Sequence, residues 1–149
     1  MLKIYIDGDA FVNALKAVVL KQIQKLQIFT VVVSNKKINI GKSPYVSYII
    51  VEAGADKADD KIVEMVEKND LVITADIPLA DRIVTKGAYG IDHRGEFYTQ
   101  DNIKQHLAMR NLMENIREMG EITKGPKPFG KKDIEHFSNA LNNFLQKFA

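Results

Sequence analysis

The chain has 149 residues and a mass of 16.8 kDa, with 46% hydrophobic and 27% charged residues, enough for one domain with a real core and too few for two comfortable ones. That composition excludes a disordered chain, a collagen-like repeat and a coiled-coil rod. The 21 Lys and Arg against 19 Asp and Glu leave a net charge of +2, far from that of a DNA-coating protein, and the lack of cysteine excludes disulfides, thiolate zinc sites and a cysteine nucleophile.

The elements read as an alternating series. Lys3 to Ile6 is a short strand that runs into Asp7, Gly8 and Asp9. These acids interrupt the apolar start at once, so it does not have the form of a signal peptide. Val12, Leu15, Val19, Ile23 and Leu26 then recur at helical spacing. Phe29 to Val33 and Ser47 to Val51 read as strands. Asp56 starts an acidic helix carrying Ile62, Val63 and Val66, closed by Asn69-Asp70. Leu71 to Thr74 is the next strand, and Pro78 suits the first turn of the helix after it. Lys86-Gly87 stops that helix, and Tyr89 to Ile91 is a last short strand.

Thr99 is a plausible N-cap for a long helix to about Met119, ended by Gly120. Residues 121–132, with Gly125, Pro126, Pro128 and Gly130, form a linker. A final amphipathic helix follows, marked by Ile134, Phe137, Leu141, Leu145 and Phe148. The expected organisation is one domain over 1–149, with an α/β core over 1–98 and two C-terminal helices over 99–149. No apolar run approaches the ~18 residues that span a bilayer. The expectation is a soluble cytoplasmic protein.

Strands alternating with helices imply a three-layer α/β fold, a parallel sheet with helices on both faces. Ligands in such folds bind beyond the carboxyl ends of the strands, where the strand order switches. The acids fall there. Asp7 and Asp9 follow the first strand, and Asp76 follows Leu71 to Ala75. Asp81 lies one helical turn further on and could face the same crevice. Asp56, Asp59 and Asp60 crowd a helix start, where Asp56 suits an N-cap and the others suit the helix dipole. Converging carboxylates repel one another unless a cation is present. Oxygen ligands, no cysteine and few histidines favour Mg²⁺ or Mn²⁺ over zinc, pointing to phosphate-ester chemistry.

The remaining polar residues carry weaker signals. His93, His106 and His136 show no ligand spacing to one another. Lys36, Lys37 and Lys42 flank the acidic rim and could meet phosphates. Lys124, Lys127, Lys131 and Lys132 give the linker a basic face, a modest sign of nucleic-acid contact. Arg110 shares a helical side with Ile103 and Leu107 and reads as a buried structural partner. Gly8 and Gly54 permit tight turns, but no Gly-rich phosphate loop is formed.

Ile6-Asp7-Gly8-Asp9-Ala10, Gly54-Ala55-Asp56-Lys57-Ala58-Asp59 and Leu71 to Ala80 resemble the YaiI/YqxD family of bacterial proteins. The likeness continues through Lys86-Gly87-Ala88, Arg94-Gly95, Arg110, Gly125-Pro126, Phe129, Asp133 and Phe137, in order along nearly the whole chain. The resemblance implies a PIN-like fold, the architecture of many metal-dependent nucleases with clustered aspartates. Asp7, Asp9, Asp59 and Asp76 match the family's acidic pattern, with Asp56 as a further match, whereas Asp81 has no place in it. Phe11-Val12 stands where family members usually carry Cys-Pro.

Three functions compete. The first is a Mg²⁺- or Mn²⁺-dependent nuclease acting on RNA, with Asp7, Asp59 and Asp76 holding metal and Asp9 completing the shell or orienting water. The second is a phosphatase similar to the haloacid dehalogenases, with Asp7 as nucleophile, Asp9 as acid/base, and Asp76 with Asp81 binding Mg²⁺. Against it, the apolar helix follows the opening motif almost immediately. The third is a non-catalytic nucleic-acid- or partner-binding domain.

Overall fold

The structure is a computed structural model, and it describes residues 1–54, 56–120 and 128–149. Six strands form one sheet: β1 Ile4–Asp7, β2 Thr30–Ser34, β3 Val46–Ile50, β4 Leu71–Ile73, β5 Tyr89–Ile91 and β6 Phe97–Tyr98. Five α-helices accompany them: α1 Lys16–Leu26, α2 Lys57–Met65, α3 Ile77–Thr85, α4 Ile103–Glu118 and α5 Lys131–Phe148. The strand order is β3-β2-β1-β4-β5-β6. All pairings are parallel except β5 with β6. The order therefore reverses between β1 and β4, and that is where this topology opens a crevice.

Alternation along each strand builds two cores. Ile4 and Ile6, with Leu71 and Ile73, join Leu15, Val19 and Ile23 around α1 and Phe137, Leu141 and Leu145 of α5. Tyr5 and Val72 point to the other face, against Ala58 and Ile62 of α2 and Leu79, Ala80 and Ile83 of α3. The three layers are thus α1 and α5, the sheet, and α2 with α3. Period-two geometry then puts Asp7 on the Tyr5 face and Thr74 on the Val72 face, both toward α2 and α3.

Several elements differ from the expectation. Two short 3-10 turns, Gly8–Ala10 and Asn13–Leu15, precede α1. Phe11 and Val12 between them are extended, which lets both side chains pack against the first core before helical winding begins. The second strand starts at Thr30, and Phe29 is 53% exposed. The regular winding of α4 begins after Asn102, whose side chain makes no capping bond within the helix; Thr99 caps this start as expected, its carbonyl accepting from the Ile103 N–H at 2.9 Å. The two lock reciprocally, the Thr99 N–H donating to Asn102 Oδ1 at 2.8 Å and the Asn102 N–H to Thr99 Oγ1 at 3.1 Å.

The antiparallel β6 is two residues long, too short to leave a periodic signal in the sequence. On α5, Phe144 is buried against the rings of Tyr89 and Phe97, while Phe148 is 45% exposed. Arg110 is not buried: it is a partly exposed residue paired with Glu114 one turn on. Most of the expected linker, residues 121–127, lies outside the described residues.

Candidate active site

The first aspartate is placed by β1. Asp7 ends that central strand, is 5% exposed, and accepts at Oδ2 from the Thr74 hydroxyl at 2.9 Å. The same Thr74 Oγ1 accepts from the Asp76 N–H at 3.0 Å. One fully buried hydroxyl thus ties the end of β1 to the turn after β4. Asp76 is the N-cap of α3, its Oδ1 accepting from the Leu79 N–H at 3.0 Å. Pro78 supplies the fixed backbone of that first turn. Asp9 sits in the 3-10 turn after β1 and accepts from the Asn35 N–H at 2.8 Å, which joins it to the end of β2.

Asp59 comes from the first turn of α2. Asp56 occupies the N-cap position of that helix in a left-handed conformation, φ 63°, and its side chain makes no capping bond. Its main-chain carbonyl accepts from the Asp60 N–H instead. The carboxylate of Asp56 lines the crevice, where the sequence had suggested a cap. Asp7, Asp9, Asp56, Asp59 and Asp76 together line an open depression of about 430 Å³, with Asn35 on its wall and, among the described residues, no Lys, Arg or His in its lining.

Crowded acids in a half-dry pocket oppose ionisation. Burial pushes the Asp7 carboxyl up, countered by the Thr74 hydrogen bond and reinforced by the charges of Asp76 and Asp9. Asp59 is pushed up to about 7 by burial, then by the charges of Asp76 and Asp7, with a hydrogen bond shared with Asp76. Among the described residues no three His, Asp or Glu side chains are grouped as a ready-made metal cage. The donors that face the depression are nonetheless all oxygens, the chemistry suited to Mg²⁺ or Mn²⁺.

The other candidates fall elsewhere. Asp81 does not line the depression; its carboxylate lies 3.3 Å from the Lys104 ammonium of α4. Asp60 pairs with Arg82 at 2.8 Å, tying α2 to α3 on the surface. Lys36 and Lys37 are not among the residues of the acidic depression, and Lys37 borders a separate groove with Lys42. Lys124 and Lys127 lie outside the described residues.

The histidines play separate parts. His93 is buried beside the Phe11 ring, its pKa lowered by burial against the opposing charge of Asp92. His106 meets Tyr98, and the Nδ1 of His136 lies 2.6 Å from the Arg94 carbonyl oxygen. Thr74 and Asn35 are the residues that the sequence did not single out. A threonine ending an apolar strand on the same face as Asp7 is the only signal that could have found the first.

A family model described as "Uncharacterized BCR, YaiI/YqxD family" matches residues 5–147. The chain belongs to the YaiI/YqxD family. A UPF0178 protein of Sulfurimonas denitrificans is 62% identical over 146 residues, covering 98% of this chain and 97% of the relative. One from Sulfurovum sp. is 60% identical, covering 98% and 99%. A more distant one, from Maridesulfovibrio salexigens, is 47% identical over 98% and 97%. No solved structure matches the chain. Phe11, just after the opening acidic motif, makes an edge-on ring contact with His93 at 5.7 Å, so that position is apolar packing here.

Proposed function

We propose that this YaiI/YqxD protein is a PIN-like, divalent-metal-dependent phosphodiesterase that cleaves RNA. The observation that carries the reading is the depression between the ends of β1 and β4, lined by five aspartates and, among the described residues, no basic side chain. Asp7, Asp59 and Asp76 would hold Mg²⁺ or Mn²⁺, with Asp9 holding it or orienting water. Such an ion, when bound, lowers the pKa of water and offsets the charge that develops on the phosphate. The protein's own part is positioning. Thr74 fixes Asp7 relative to Asp76, Asn35 fixes Asp9, and the N-terminus of α3 adds favourable partial positive charge near Asp76.

The phosphatase reading needs Asp81 beside Asp76 for magnesium, and the pairing of Asp81 with Lys104 argues against it. Cleavage of single-stranded RNA with Mn²⁺ or Mg²⁺, followed on gels, tests the proposal. Turnover should stop with chelator and be lost in Asp7→Asn. A folded, metal-loaded protein that cleaves neither RNA nor DNA across a broad panel would overturn it in favour of a binding domain.

A further inference from the structure

We propose that Asn35 is the substrate-contacting side chain of the acidic depression, its carboxamide donating to a non-bridging oxygen of the phosphodiester. This contact rests on the phosphodiesterase reading and supplies what the acids lack. An anionic phosphate meets repulsion from the five aspartates that line the site. Beside them the lining consists of Ala10, Gly54, Ala58 and Ala75, which carry no polar side-chain atom, and Asn35. Among the described residues, Asn35 is therefore the one side chain of the lining that donates without first taking up a proton.

The local structure holds this residue in place. Asn35 follows β2 directly, and its N–H donates to Asp9 Oδ1 at 2.8 Å. On either side of it, the Ser34 hydroxyl donates to the Lys36 carbonyl, which pins the turn. Gly8 permits the approach of the two segments. A Cβ there would lie 3.0 Å from the Ser34 Cβ and 3.2 Å from the Val33 carbonyl oxygen. A glycine thus lets the turn after β1 lie against the end of β2, bringing Asp9 to Asn35.

The fold uses position 35 through its main chain alone. Asn35 is exposed, and its carboxamide makes no hydrogen bond among the described residues. Nor does the backbone call for asparagine, because Asn35 is not one of the residues with positive φ. The usual structural reasons for asparagine in a turn, a side-chain bond to the main chain or a left-handed conformation, are both missing. What remains is a neutral donor on the wall of an acidic site. A lysine there would pair with the acids and compete with a bound cation, whereas an amide donates to phosphate without doing either.

Fluorescence anisotropy of the full chain with a labelled single-stranded RNA tests the contact. Ca²⁺ replaces Mn²⁺ in the titration, and gels verify that the probe stays intact. Asn35→Leu keeps the size of the side chain and the main-chain bond to Asp9 while removing the donor. It should weaken RNA binding about tenfold and leave Mn²⁺ affinity, measured by calorimetry, unchanged. The residue is exposed enough for that variant to fold, which circular dichroism verifies. Full RNA affinity in Asn35→Leu, a matching loss of Mn²⁺ affinity, or a wild type that binds no RNA would each overturn the contact. RNA held by the wild type and released by Asn35→Leu, yet never cleaved with Mn²⁺, would sink the phosphodiesterase reading alone. Asn35 would then be the phosphate contact of a binding domain.

Discussion

The Thr74 hydroxyl donates to Asp7 Oδ2 across the β1–β4 junction at 2.9 Å, and both groups are buried. Because Thr74 Oγ1 also accepts from the Asp76 N–H, the hydroxyl can neither rotate nor be lost without unpairing two partners. Thr74→Val keeps the shape and removes the bond. It should cost about 1–3 kcal/mol, the penalty for stranding buried polar groups, while Thr74→Ser retains most of the stability. Urea unfolding of the three proteins measures this; equal midpoints would show that the bond carries no weight.

Asp59 supplies a pH dependence with a definite sign. Its carboxyl is raised from 3.8 to about 7 in the folded protein, so folding favours the protonated form. The stabilisation is full below about pH 3.8 and is lost as the pH rises through about 7. Metal-free wild type should therefore melt progressively lower across that window relative to Asp59→Asn. Thermal melts with chelator at several pH values measure the difference, and a parallel pair of curves would refute the assignment.

Mn²⁺ binding follows from the same group. A cation favours the ionised carboxylates, so binding near pH 6 should release a proton and strengthen as the pH rises. Calorimetry in buffers of different ionisation enthalpy detects that proton. The site should weaken in Asp76→Asn, and unchanged affinity there would remove Asp76 from it.

On the other face of the sheet, α5 closes the first core with Phe137, which is fully buried. Phe137→Ala should cost about 3–5 kcal/mol, through lost burial and the cavity it leaves. Phe148→Ala, at a half-exposed ring, should cost far less. A similar loss for both would mean that the end of α5 is held as firmly as its middle.

Gly95 stands at φ +90°, and a Cβ there would lie 2.9 Å from the His136 carbonyl oxygen on the α5 backbone. Gly120 has φ +80°, but a Cβ there would meet nothing within 4 Å among the described residues. Gly120→Ala should cost only the left-handed strain, about 1–2 kcal/mol, and Gly95→Ala distinctly more, because α5 must also shift. Chemical denaturation ranks the pair, and a reversed order would deny that α5 packs closely on this turn.

The sequence by itself determined the α/β alternation, the five strand positions along the parallel part of the sheet and the final amphipathic helix. Each rests on local periodicity that burial on one or two faces enforces. It also determined that Asp7, Asp9 and Asp76 end their strands or begin the turns after them, since an apolar run stops where charge starts. Tertiary structure alone decided which acids meet. Asp59 lies in the first turn of α2 and Asp81 midway along α3, and α2 turns Asp59 into the depression while the approach of α4 gives Asp81 to Lys104. Likewise Phe144 and Phe148 share one helical side and both meet the Tyr89 ring, but only the first is buried and reaches Phe97 as well. Thr74 reads in the sequence as one more β-former. Its role exists only because parallel pairing of β1 with β4 sets its hydroxyl beside Asp7, a contact between positions 67 residues apart that no local pattern encodes.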